Sequence, residues 1–331
     1  MSSGSTPTAK TDTAKTSSGR PNAAALIDPG SLMRIKNLEL RASAIVEGFL
    51  TGLHRSPYHG FSVEFTEYRQ YTAGDDTRFL DWKLYARSDR YFIKCFEDET
   101  NLRCHLLVDL SRSMSFGTVG YDKAEYAKTA AATIAYFLSM QRDAVGLLTF
   151  DEAITDRIPA RFRPGHVHQL MMSLERAPAG KATDIEKPLE QIAATVAKRG
   201  VVVLISDLLT PIGSLKKNLS YLRARGHEVV VLRVLDPREI DFQFDQPAMF
   251  HDIESGRNLY IDPDSARENY LNEFREHAGA LQSICNNLGI DLHEISIDRP
   301  LELILFDLLA DRMKRGRGAV RQRTPIAGSA P

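Results

Sequence analysis

Cysteine is scarce in this 331-residue chain: Cys95, Cys104 and Cys285 are the only three. Their number is odd and none stands at metal-ligand spacing, so they read as free thiols packed in apolar or amphipathic segments. An excess of one charge is also missing. The 42 Lys and Arg against 43 Asp and Glu leave a formal net charge of −1, which removes any global electrostatic reason to expect nucleic acid or an anionic membrane as partner. No apolar run approaches the roughly 18 residues of a membrane span, and no basic-then-apolar leader opens the chain. The expectation is a cytoplasmic protein without a membrane span. Catalytic signatures are lacking as well. There is no Gly-x-Ser-x-Gly elbow, and Gly180-Lys181-Ala182-Thr183 fails as a phosphate loop, which needs Gly where Glu175 stands and Ser or Thr where Ala182 stands.

What is present is an ordinary core-forming composition, 43% hydrophobic and 26% charged, enough for one large or two modest domains. Residues 1–27 are rich in Ser, Thr, Ala, Lys and Gly without periodic hydrophobes and are expected to be a disordered tail. Leu32, Ile35, Leu38, Leu40, Ile45, Val46, Phe49 and Leu50 recur at mostly helical intervals and predict a helix or helix pair ending near Gly52. From His105 onward apolar strands alternate with helical patterns, which argues for an α/β fold with a doubly wound, mainly parallel sheet. The predicted helices are 123–140, 167–174, 184–196, 214–225, 266–288 and 301–313. The predicted strands are 144–150, 154–158 in a hairpin, 201–207, 228–235 and 291–297, with an inserted hairpin within 250–261.

One stretch organises the rest. Leu106-Leu107-Val108-Asp109-Leu110-Ser111-Arg112-Ser113-Met114-Ser115 is an apolar strand that stops at a carboxylate followed by two hydroxyls. In an open α/β sheet ligands bind at that carboxyl edge. Carboxylate and hydroxyl oxygens suit a hard cation such as Mg²⁺, whereas Mn²⁺ and Ca²⁺ differ in ligand number and cavity size that residue types do not reveal. The same residue types also cap helices and make turns. A second apolar strand, Val201 to Ser206, again stops at a carboxylate, Asp207, and Thr183-Asp184 follows a Gly/Ala loop. This constellation resembles the metal-ion-dependent adhesion site of the von Willebrand factor type A domain. The resemblance implies Ser111, Ser113 and Thr183 as hydroxyl ligands, with Asp109 and Asp207 coordinating directly or through water. Asp184 and Glu186 read as first-turn acids of their helix. His166 and His168 invite a zinc site, but no third ligand follows, so they read as helix-start residues.

Upstream lies a charged block around the single tryptophan. Gly74-Asp75-Asp76-Thr77-Arg78-Phe79-Leu80-Asp81-Trp82 is followed by Ala86-Arg87, with aromatic-rich extended segments at both ends and a turn at Gly74-Asp75. Asp75, Asp76, Asp81, Arg69, Arg78 and Arg87 can form an ion-paired bracket that fixes the strands. The alternative is a docking surface made by Asp75, Asp76, Arg78, Asp81, Trp82 and Arg87. The run resembles the bacterial domain of unknown function 58 family, over roughly Leu32 to Arg315. The implied organisation is a tail (1–27), an N-terminal helix plus signature segment (28–100), a type A-like domain (101–315) and a basic tail (316–331). Arg312, Lys314, Arg315, Arg317, Arg321 and Arg323 at the end of the chain lack interleaved aromatics and read as a solvated tail rather than a contact for nucleic acid or acidic lipid.

The resemblance implies a non-enzymatic, metal-dependent interaction module. Family members are associated with MoxR-type AAA+ ATPases, so the expected role is that of an adaptor or co-chaperone for a client protein. An acidic residue of the partner would complete the metal site. Two other readings stand beside it: a Mg²⁺-dependent phosphoryl hydrolase, and a structural module whose site holds no metal.

Overall fold

A computed structural model describes residues 26–55, 67–70, 85, 87, 90–95, 102–176, 189–191, 199–244, 248–251 and 258–308. Helices α1 (Pro29–Met33) and α2 (Leu38–Arg55) open the described chain, and a short antiparallel pair follows, β1 (Glu67–Gln70) with β2 (Phe92–Cys95). The central sheet is built from β3 (Arg103–Asp109), β4 (Ala144–Phe150), β5 (Ile154–Arg161), β6 (Val201–Ser206), β7 (Glu228–Leu235) and β10 (Asp291–Ser296). Between them come α3 (Lys123–Met140), α4 (His166–Leu174), α5 (Ile212–Ala224), α6 (Pro237–Asp241) and α7 (Pro263–Leu288), with a side hairpin of β8 (Ala248–His251) and β9 (Asn258–Ile261). Residues 302–308 form a last helical turn pair against the sheet.

The strand order is β10-β7-β6-β3-β4-β5, and every pair is parallel except the β4–β5 hairpin. This is the doubly wound, mainly parallel α/β sheet expected from the alternation of elements. Its inner strands are continuous apolar runs because both faces are covered. Along β6 the side chains divide in turn: Val203 and Ile205 join one core with α2, α3 and α4, whereas Val202 and Leu204 join the other with α5 and α7. Edge strand β5 instead alternates between exposed and more buried positions, as a strand covered on one face should.

The N-terminal helix is part of the first core. Ile45, Val46 and Phe49 of α2 are buried, and Phe49 meets Phe137 of α3 edge to face at 5.6 Å. α3 accepts this packing because it presents Ala124, Ala127, Ala131 and Ala135, all buried, and small side chains let helices approach closely. Arg41 is buried in the same seam and donates to Thr129 Oγ1 at 2.8 Å and to the Ile35 carbonyl at 2.6 Å. The predicted helix ending near Gly52 runs on to Arg55, and of the extended segment expected after Gly60 the described residues 67–70 form a strand. Of the predicted 184–196 helix, residues 189–191 are described and helical.

Candidate functional site at the carboxyl edge of the sheet

From β3 the chain passes to β4 and β5 on one side, then crosses back to β6, β7 and β10 on the other. The direction therefore reverses between β3 and β6, and such switch points open a crevice at the carboxyl ends of the strands. Three neighbouring strands lead there to aspartate: Asp109 as the last residue of β3, Asp207 after β6 and Asp236 after β7, all buried. A buried carboxylate is stable only with donors or cations around it. Each of the three finds different ones.

Asp109 is served by neutral donors. Its Oδ1 accepts from the Ser111 N–H at 2.9 Å, and its Oδ2 accepts from the Ser206 hydroxyl at 2.6 Å, a bond that crosses from β6 to β3. Burial, with the nearby Asp207 charge adding to it, pushes the carboxyl up to about 6. Ser111 caps a short 3₁₀ turn, Arg112–Ser115, that brings the Ser111 and Ser113 hydroxyls to 3.1 Å from each other.

Asp207 is served by a cation. Its Oδ2 accepts from Lys123 Nζ at 2.8 Å, and its Oδ1 faces the Leu209 N–H at 3.3 Å. Leu208, at φ 53°, makes the left-handed turn that swings the chain away after the strand. Lys123 is 0% exposed and also reaches Glu239 Oε1 at 2.5 Å. Burial opposes the charge of the ammonium, but Asp207 and Glu239 outweigh it and hold the Lys123 pKa above its ordinary value. For Glu239 burial wins over the pull of Lys123, and its carboxyl is pushed up. Arg233, also buried, donates to the Asp207 carbonyl at 3.2 Å and to Glu294 Oε1 at 2.7 Å.

Asp236 is saturated by its own neighbourhood. It accepts from the Thr118 N–H and hydroxyl, both at 2.7 Å, and from the Arg238 N–H at 2.8 Å. Glu239 returns the capping box by accepting the Asp236 N–H at 2.9 Å. The loop entering α3 is equally tight: a Cβ on Gly117 would lie 2.1 Å from the Tyr121 carbonyl oxygen, so only glycine fits.

Of the residues singled out from sequence, Asp109, Ser111, Ser113 and Asp207 gather at this edge. Thr183, Asp184 and Glu186 lie outside the described residues, as do Asp75, Asp76, Arg78, Asp81 and Trp82. Arg87 is described as an exposed helical residue. The two histidines separate: His166 is buried with Nε2 at 2.7 Å from the Val145 carbonyl, whereas His168 is exposed beside Glu39. Lys123, Asp236 and Glu239 were missed. A third apolar run ending in Asp, followed by Pro and then Glu, was the available signal for two of them. Lys123 at the start of a helix left none.

The donor set fits a hard divalent cation in part. Asp109, whose donors among the described residues are neutral and leave an ionised carboxylate's remaining lone pairs, stands beside the Ser111–Ser113 hydroxyl pair. Asp207 fits less openly, since one of its oxygens is committed to Lys123. Among the described residues no group of three or more His, Cys, Asp or Glu side chains is arranged as a metal site.

The family model described as "Protein of unknown function DUF58" matches residues 67–280. An uncharacterised protein of Mycobacterium tuberculosis is 31% identical over 298 residues, which covers 88% of this chain and 92% of that protein. Among solved structures, BatB of Bacteroides thetaiotaomicron aligns with a TM-score of 0.42 at 18% identity, over 59% of this chain and 90% of that one. The VWA domain of SpRpn10 aligns with a TM-score of 0.36 at 11% identity, over 62% and 93%. No helix of the described residues is long and apolar enough to cross a membrane.

Proposed function

We propose a function from a family premise: the chain belongs to the DUF58 family, and its carboxyl-edge site serves as a metal-dependent protein-interaction module rather than an enzyme. One observation carries this reading. Asp109 is a fully buried carboxylate held by neutral donors at the switch point, next to the Ser111 and Ser113 hydroxyls. Mg²⁺ or Mn²⁺ is the kind of cation that such a carboxylate and its hydroxyl neighbours suit. Asp109, Ser111 and Ser113 would hold the ion with Asp207, directly or through water, and the resemblance adds the Thr183 hydroxyl. The ion would supply residual positive charge for an Asp or Glu of the partner. The resemblance read from the signature block favours a MoxR-type AAA+ ATPase and its client as partners, with the chain acting as adaptor or co-chaperone in the cytoplasm.

The test pairs a metal measurement with a capture. Mn²⁺ titration followed by electron paramagnetic resonance should show binding by the wild-type chain and a loss of at least about tenfold in Asp109→Ala. Capture of partners from native extract should require Mg²⁺ and fail in EDTA or with Asp109→Ala. Capture that survives both treatments would move the interface elsewhere, with the Asp75 to Arg87 block as the next surface to mutate. Phosphatase activity that vanishes in Asp109→Ala would replace this reading with the phosphoryl-hydrolase one.

A further inference from the structure

Lys123 stands in an unusual place for a buried cation. It is the first residue of α3, where the helix dipole disfavours positive charge. Its ammonium nevertheless turns into the switch crevice and spends donors on Asp207 and Glu239. The frame around it is fixed from both sides. The Lys123 N–H is bonded to the Phe116 carbonyl at 3.0 Å, the Thr118 loop is tied to Asp236, and Glu239 is oriented by the Asp236 N–H. A lysine so enclosed cannot swing to solvent as surface lysines do.

We propose that Lys123 is a built-in counter-cation that sets the metal preference of the site, by withholding Asp207 Oδ2 and so disfavouring Ca²⁺ relative to Mg²⁺ and Mn²⁺. The proposal rests on the metal-site reading above. Ca²⁺ takes six to eight oxygens and commonly a bidentate carboxylate, whereas Mg²⁺ takes six, keeps several waters and needs only one-oxygen contacts. In this site Asp207 has one oxygen on the ammonium, and Asp109 has a donor on each oxygen. Asp207 can therefore embrace an ion with both oxygens only by displacing the ammonium. The ammonium also cancels one unit of negative charge in the crevice, which lowers affinity for every divalent ion.

The experiment uses the full chain and reads Mn²⁺ affinity by electron paramagnetic resonance, with Mg²⁺ and Ca²⁺ as competitors. The wild-type chain should be displaced by Mg²⁺ at lower concentration than by Ca²⁺. Lys123→Met keeps the stem and removes the charge. It should bind Mn²⁺ about tenfold more tightly and shift the Ca²⁺-to-Mg²⁺ preference by about tenfold toward Ca²⁺. Glu239→Gln leaves the ammonium on Asp207 and should keep the wild-type preference, which separates a role in selectivity from a merely structural one. Equal or better competition by Ca²⁺ in the wild-type chain overturns the proposal even if Lys123→Met does not fold. So does an unchanged preference in a folded Lys123→Met. Absence of Mn²⁺ binding by the wild-type chain overturns instead the metal reading on which the proposal stands.

Discussion

His105 and Asp109 lie on the same central strand, and the sheet treats their charges in opposite ways. At the carboxyl edge Asp109 keeps two donors, its neighbour Asp207 keeps an ammonium, and the crevice holds charge at neutral pH. Toward the amino end His105 is held neutral. Burial, followed by His227, Arg103 and Arg157, drives its pKa down to about 4, and its Nε2 has no hydrogen-bond partner among the described residues. The same strand thus holds a charge-bearing site at its carboxyl end and a neutral imidazole toward its amino end. Parallel strands explain the carboxylates at one end: their carboxyl ends meet helix N-termini and turn N–H groups, which solvate anions.

Breaking the charged edge should have the largest effect. In EDTA, Lys123→Met leaves Asp207 and Glu239 facing each other without their cation, and urea unfolding should show a loss of about 3–5 kcal/mol. A loss under 1 kcal/mol would mean that the ion triad is not a buried pair in solution.

The neutral edge should show itself through pH. His105 binds a proton more weakly folded than unfolded, so its contribution to stability is complete above its ordinary value of 6.5 and is lost as pH falls toward about 4. That loss amounts to at most about 3 kcal/mol. In His105→Leu the part of the acid dependence between those values should flatten, as read by urea midpoints at several pH values.

Arg233 sharpens the contrast within the charged edge. Its donors go to a carbonyl, to the half-exposed Glu294 and at 3.4 Å to the His277 ring, so Arg233→Met should cost about 2 kcal/mol, less than Lys123→Met. A larger cost than that of Lys123→Met would reverse the ranking of the two cations. The smallest effect belongs to the exposed pair Lys217–Glu190. Lys217→Ala should change stability by under about 0.5 kcal/mol, and less in high salt.

Much of the molecule was written locally. The run Leu106 to Val108 and the run Val201 to Ile205 are apolar without alternation, as strands covered on both faces read. Asp109, Ser111, Ser113 and Asp207 follow from the same reading, because a strand that ends in carboxylate and hydroxyls announces an oxygen-rich edge. What adjacency in sequence could not supply was the company each carboxylate keeps. Lys123 lies 84 residues from Asp207 and Thr118 lies 118 from Asp236, and their meeting depends on the strand order β7-β6-β3. The sequence by itself determined the elements, their periodicities and the oxygen donors at their ends. Only the tertiary structure decided that one aspartate would face neutral donors, the next a buried ammonium and the third its own capping box. Solvation of a buried charge is settled by whichever groups the fold brings within hydrogen-bond reach, and those come from distant parts of the chain.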